Sequence, residues 1–351
     1  MKPRRGAVAV FETPPQRILI VKPSSLGDIA TALPLLCDLR ALYPHAQIDW
    51  LIAPAFADLV RGHDAVHELL FFDRSSAGSG GWRGRLGRLW RLQRLLKTKR
   101  YDLVVDAQGL LRSGLLARWT GAPVRVGFGW AREGSVYLYT HWSQLPPPPQ
   151  LAVVRMRSLM RPLGGPPRPA EFRVPISAAA LAGVRRRLPA NAGRLAAVIP
   201  GARWDSKRWS EDGFSEIARR LANAGFGILL IGSTSEEHLC AMIAERAAPA
   251  AVNLAGHTTL AEMIAALSVC DIVIGNDSGP LHVAAALGRP LVGLYGPTDP
   301  LDVGPWGQLD HVLKFDQPGN YRAAATADRS GTLVRLPAEQ VWTLVKTMAG
   351  I

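Results

Sequence analysis

Cysteine is scarce in this 351-residue chain, and Cys37, Cys240 and Cys270 stand far apart in apolar settings. That spacing offers no disulfide framework and no cysteine-built metal site, and it fits buried thiols in a reducing compartment. No uninterrupted apolar run reaches the roughly 18 residues of a spanning helix, so no transmembrane segment is expected. The start MKPRRGAVAVF is basic and then apolar, but its apolar part is too short for a secretory leader. It reads as a frayed extension before the first strand, and the chain as cytoplasmic. No G-x-G-x-x-G follows the first strand-like run, which argues against a dehydrogenase. Nucleic-acid signatures (RNP, helix-turn-helix, zinc) are missing too. Acid is the rarer charge: 28 Asp and Glu face 41 Lys and Arg, a net +13, with no acid between Asp73 and Asp102.

What is present is core material. With 48% hydrophobic and 20% charged residues, the chain is comfortable as two ordered domains. The basic excess favours a polyanionic partner: nucleic acid, an anionic membrane surface or a phosphorylated substrate. Strand-like and helix-like segments alternate from RILIV (17–21) through QIDWLI (47–52), VHELLFF (66–72), DLVVDAQG (102–109) and VRVGF (124–128). Helices are expected around 55–62 and 110–119, with a long basic one before 102. After the polyproline stretch LPPPPQ (145–150), a helix over 151–163 and a Gly/Pro-rich linker at 164–176, the alternation resumes. The second series is RLAAVIP (194–200), FGILLIGS (226–233), AVNLAG (251–256), DIVIGNDSG (271–279) and PLVGLYG (290–296), closed by an amphipathic helix over 337–348. This predicts an α/β chain of two facing Rossmann-like domains with parallel sheets, over 17–163 and 177–351. Ligands of such sheets sit at the carboxyl ends of the strands.

Three strand-end loops carry chemistry. VKPSSLGDIATALP (21–34) opens a βα unit, yet puts a carboxylate, Asp28, where a phosphate loop prefers bare N–H groups. The plainer alternative is that Asp28 stabilises the first turn of its helix. In GNDSGPLH (275–282), Ser278 and Gly279 open a helix suited to a diphosphate, with Asp277 and His282 beside them. Helix capping by Asp277 and Ser278 is the alternative. In IPGARWDSKRWSEDGF (199–214), Lys207 is a cation near a strand end, as a leaving diphosphate requires, or else part of a solvated basic turn. Glu236 follows a further strand end, where an acid accepts hydrogen bonds from ribose or simply starts a helix. The run GWRGRLGRLWRLQRLLKTKR (81–100) is a cationic amphipathic segment, read both as a domain helix and as a face for anionic lipid.

Together, VKPSSLGDIATALP, YDLVVDAQGLLRSGLLAR (101–118), WAREGSVYLY (130–139), DSKRW (205–209) and GNDSGPLHVAAALGRPLVGLYGPTDP resemble the ADP-heptose:lipopolysaccharide heptosyltransferases, glycosyltransferase family 9 with the GT-B fold. The resemblance runs from about residue 17 to the C-terminus, and the DAQG and ARE segments point to the heptosyltransferase I branch. It implies an inverting transfer of heptose from ADP-L-glycero-D-manno-heptose to the Kdo region of lipid A-linked inner core. By its motifs, Asp28 is the general base and Ser24, Ser25, Gly27 and Arg132 line the acceptor side. Lys207, Glu236, Asp277, Ser278, Gly279 and His282 bind the donor, Glu236 at the ribose. The first domain then holds the acceptor and the second the nucleotide sugar. No metal, cofactor or nucleic acid is implied; a monomer at the cytoplasmic face of the anionic inner membrane is. Gly201-Ala202-Arg203 departs from the pattern, standing where better-known members carry hydroxyl side chains, with Arg203 the residue able to compensate. So do the extension at 1–16 and a Gly/Arg-rich loop at 74–88. The rival readings are a GT-B enzyme for another nucleotide sugar, and a basic binder of anionic lipid or nucleic acid.

Overall fold

Ile18 to Val21 are wholly buried, as a parallel strand covered by helices on both faces must be. The protein is described by a computed structural model covering residues 4–5, 8–72, 81–144, 150–189, 193–247, 251–315 and 333–351, with backbone alone at 4–5, 81–86 and 88. It divides into two units, Met1–Pro175 and Ile176–Ile351.

The first unit holds β1 (Arg4–Arg5), β2 (Arg17–Val21), β3 (Gln47–Ile52), β4 (Glu68–Phe71), β5 (Leu103–Asp106), β6 (Val124–Phe128) and β7 (His141–Ser143). All pairs are parallel, in the order β1-β7-β6-β5-β2-β3-β4. Helices α1 (Leu26–Ala30), α2 (Leu33–Leu42), α3 (Gly81–Thr98) and α4 (Leu111–Trp119) lie between these strands, and α5 (Ala152–Arg157) follows β7. Strand order reverses between β2 and β5, the switch point outside whose carboxyl ends ligands of such sheets bind. Gly127 in β6 makes room for a neighbour, since a Cβ there would meet the Tyr139 ring at 2.2 Å.

The second unit has α6 (Ala178–Arg185), β8 (Arg194–Ile199), α7 (Glu211–Asn223), β9 (Phe226–Leu230), α8 (Glu237–Ala247), β10 (Ala251–Asn253) and α9 (Leu260–Ser268). β11 (Ile272–Asn276), α10 (Gly279–Ala286), β12 (Leu291–Tyr295), α11 (Pro300–Val303), β13 (Val312–Lys314) and α12 (Ala338–Ala349) follow. Its six parallel strands run β10-β9-β8-β11-β12-β13, and here the order reverses between β8 and β11. Val198, Phe214, Ile217, Ile274 and Val341 are fully buried in its core. Each such side chain contributes about 1.5–3 kcal/mol.

Four local expectations change. The described part of the N-terminal extension is ordered, not frayed: Arg4–Arg5 pair with His141–Trp142, the Ala9 N–H donates to the Pro162 carbonyl at 2.6 Å, and Phe11 packs edge-on against Tyr43, while residues 1–3 and 6–7 lie outside the described residues. Helix α3 begins at Gly81, inside the expected 74–88 loop; residues 73–80 lie outside the described residues, as do 145–149 of the polyproline stretch. The 151–163 helix turns 3-10 from Ser158, because Pro162 has no N–H to give and crowds the preceding turn. The 55–62 segment is a 3-10 turn over Pro54–Leu59. On α3, Leu96 is buried while Trp90 is 70% exposed beside exposed Arg91, Arg94 and Lys97. No helix among the described residues is long and apolar enough to cross a membrane.

Candidate active site

In the second unit the reversal point brings two loops together. The loop after β8 makes a 3-10 turn over Asp205–Lys207, and the loop after β11 carries Asp277 and Ser278 into α10. Asn276, wholly buried, joins them: its side-chain amide donates to the Pro200 carbonyl at 2.8 Å and its Oδ1 accepts from the Trp209 N–H at 3.1 Å. The Lys207 ammonium therefore reaches Asp277 Oδ2 at 2.5 Å, with both side chains nearly buried. Thr298, in the turn after β12, donates its hydroxyl to the same oxygen at 2.7 Å, and His282 Nε2 lies 3.7 Å from Oδ1. Burial pushes the Asp277 carboxyl pKa up, but the His282 and Lys207 contacts outweigh it and hold the group at about 2.

These contacts set aside capping as the role of the pair. Asp277 spends its carboxylate on Lys207 and Thr298, and Ser278, the N-cap residue, makes no side-chain cap bond. Among the described residues the buried Ser278 hydroxyl oxygen has no hydrogen-bond partner; it sits at the amino end of α10, where first-turn N–H groups point outward. Gly279 begins the helix and Pro280 needs no N–H partner there.

Glu236 folds back as a cap, accepting from the Ser233 N–H at 2.7 Å and the Ser233 hydroxyl at 2.8 Å. Its other oxygen lies over Gly201, where a Cβ would sit 1.9 Å away, and is 3.9 Å from the Arg208 guanidinium. Arg208 is tied down by the Ala202 carbonyl, at 3.0 and 2.9 Å. Arg203 is exposed and lies over the Trp204 ring at 5.5 Å. Ser210 caps α7 by accepting from the Gly213 N–H, which starts that helix just past the lysine.

In the first unit, Ser24, Ser25, Gly27 and Asp28 follow β2. Asp28 does serve its helix: its Oδ2 accepts from the Ser25 N–H at 3.1 Å and the Ser25 hydroxyl at 2.8 Å, while the side chain stays 46% exposed. Beneath it lies Lys22, 3.9 Å from the same oxygen and 3% exposed. Asp106, at the end of β5, is fully buried; it accepts from the Tyr139 hydroxyl at 2.7 Å and from the N–H groups of Gln108 and Gly109. Burial pushes its carboxyl pKa up despite those bonds. Arg132 is exposed on the loop after β6, held through its N–H to the Gly109 carbonyl at 2.9 Å.

Lys22, Asp106, Tyr139, Asn276 and Thr298 were not singled out from the sequence. Lys22 and Asp106 lie inside quoted motifs, but an isolated ionisable residue gives no sign that it is buried. Outside both sites, Asp49, His67 and Glu68 bring ligand-type atoms within 4.8 Å of one another. Lys99 pairs with Glu68 and stands 3.9 Å from Asp49, and the Tyr101 hydroxyl donates to Asp49, so these charges are already met.

The chain matches glycosyltransferase family 9 (heptosyltransferase) over residues 89–328. A lipopolysaccharide heptosyltransferase 1 from Escherichia coli O18:K1:H7 is 30% identical over 333 residues, 92% of this chain and 98% of that one. E. coli heptosyltransferase WaaC with ADP is 29% identical with a TM-score of 0.76, over 95% of this chain and 100% of its own. The same enzyme with ADP-2-deoxy-2-fluoro heptose gives 29% and 0.73, over 94% and 99%. Family match, relative and α/β architecture agree, and the chain belongs to glycosyltransferase family 9, the heptosyltransferases.

Proposed function

We propose that this protein is an inverting glycosyltransferase that moves heptose from ADP-L-glycero-D-manno-heptose to the Kdo region of the lipid A-linked inner core, within lipopolysaccharide biosynthesis. The observation that carries the reading is the constellation at the ends of β8 and β11. There a nearly buried lysine, a strongly acidic aspartate, a histidine and an unpartnered serine hydroxyl surround a helix amino end. A diphosphate would satisfy the serine and the first-turn N–H groups together. The relatives support the donor, since one is solved with an ADP-heptose analogue.

In this reading the second unit holds the donor, with Glu236 at the ribose and Asp277 at the heptose, and the first unit holds the acceptor among Ser24, Ser25, Gly27 and Arg132. Asp28 takes the proton of the attacking Kdo hydroxyl. A bond forms from that oxygen to the anomeric carbon as the bond from carbon to the ADP oxygen breaks on the opposite face. Lys207 and the α10 N–H groups meet the growing negative charge on the diphosphate, and the mechanism assigns no step to a metal. The exposed Trp90 with Arg91, Arg94 and Lys97 supports peripheral contact with an anionic membrane, where the lipid acceptor resides.

Incubation with ADP-heptose and a Kdo-lipid A acceptor should give a product heavier by one heptose, read by mass spectrometry. Asp28→Ala should lower turnover roughly 10²- to 10⁴-fold while ADP-heptose binding survives; full activity in that variant overturns the base assignment. A melting point raised by UDP- or GDP-sugars and not by ADP-heptose would point to a different donor.

A further inference from the structure

The mechanism above leaves one buried cation of the first unit without a task. Lys22 follows β2, and its backbone is tied twice to β3: its N–H donates to the Leu51 carbonyl at 3.2 Å, and its carbonyl accepts from Trp50 Nε1 at 3.1 Å. Its ammonium, taken out of water, has two carboxylates for company, Asp28 and Asp106. Asp106 is itself immobilised by Tyr139 and two backbone N–H groups. Burial of an unpaired ammonium is costly, so Lys22 stays where these two acids are. The three contacts given above for Asp28, from the Ser25 N–H, the Ser25 hydroxyl and Lys22, converge on Oδ2.

We propose that Lys22 is a positioning residue for the transfer reaction: anchored from below by Asp106 and Tyr139, its ammonium fixes the Asp28 carboxylate in the orientation that receives the acceptor's proton. The inference rests on Asp28 being the base. A half-exposed carboxylate keeps one rotamer only where fixed neighbours hold it. A buried ammonium 3.9 Å away adds a charge that cannot move with solvent. The 3-10 turn Pro54–Leu59 packs against α1, and its charged residue, Asp58, is engaged by Arg61 at 2.9 Å.

The test measures kcat and KM for ADP-heptose with a Kdo-lipid A acceptor in Lys22→Met, Lys22→Arg, Asp28→Asn and the Lys22→Met/Asp28→Asn pair. Lys22→Met should lose roughly ten- to a hundredfold in kcat with the KM for ADP-heptose unchanged, and should cost nothing further once Asp28 is Asn. Lys22→Arg, bulkier but charged, should retain more activity than the better-fitting Met. If packing alone mattered, Met would outperform Arg, and that order overturns the proposal, as does a full additive loss in the double variant. Should Lys22→Met not fold because Asp106 loses its cation, Lys22→Met/Asp106→Asn replaces it with the same readouts. A fully active Asp28→Asn overturns the base assignment itself. An inactive Asp28→Asn beside a normal Lys22→Met overturns the positioning role alone.

Discussion

Asp277→Asn asks whether the charge in the C-terminal site is held by its neighbours or merely tolerated. Burial disfavours a carboxylate, yet His282 and Lys207 bring its pKa from 3.8 to about 2. A difference of close to two units corresponds to about 2 kcal/mol of preference for the charged form in the folded protein. The folded value lies below the unfolded one, so this stabilisation is complete above pH 3.8 and is lost as the pH falls through about 2. Asparagine can still accept from Thr298 but leaves the nearly buried Lys207 facing an uncharged amide. At pH 7 the variant should therefore unfold about 2 to 4 kcal/mol more easily, between the linkage value and the full cost of breaking a buried pair. For a unit of this size that lowers the melting temperature by roughly 4 to 16 °C. Urea titrations of both proteins from pH 7 downward are the assay, with the gap between them narrowing below pH 4. Equal stability at pH 7 would refute the reasoning, and so would a gap that persists unchanged to pH 2.

Gly201→Ala places a methyl 1.9 Å from Glu236 Oε1, so the carboxylate must swing away. If Glu236 holds the ribose, loss of that charged hydrogen bond, about 1.5 kcal/mol, should weaken ADP roughly tenfold by calorimetry, and an unchanged Kd removes Glu236 from the ribose. Gly127→Ala drives a methyl into the Tyr139 ring at 2.2 Å; the expected loss is roughly 1–3 kcal/mol in urea melts, and wild-type stability would contradict the packing. Trp90→Ala with Arg91, Arg94 and Lys97 changed to Glu should release the protein from vesicles containing anionic lipid, read by co-sedimentation, while equal binding rejects that face.

The fold was legible because parallel strands buried on both faces write themselves as unbroken apolar runs. RILIV, QIDWLI and VRVGF became strands over the residues quoted, and β/α alternation gave the parallel sheets. Errors fell where short polar segments gain order from contacts distant in sequence. Arg4–Arg5 reads as solvated charge until β7 offers an open edge, and Pro162 changes the helix type without changing its apolar pattern. Asp277, His282 and Lys207 could be proposed from their loops, and the structure brings them together; that Thr298 joins them depends on the next strand-end turn. Lys22 was the hardest to see. Lysine is normally a surface residue, and its burial follows from β3 and β5 flanking β2, a fact of strand order that no local window contains.

Asn276 has a consequence for how this site can vary. Its position demands a side chain that gives a hydrogen bond in one direction, to Pro200, and takes one from the other, the Trp209 N–H, at the reach of a single methylene. Aspartate would only take, leucine would do neither, and glutamine is a carbon too long for the sealed space. The two loops thus behave as a single part bolted to the sheet. Any substitution that shifts the lysine-bearing turn is transmitted through Asn276 to the aspartate that follows β11, so one amide links the positions of the two charges.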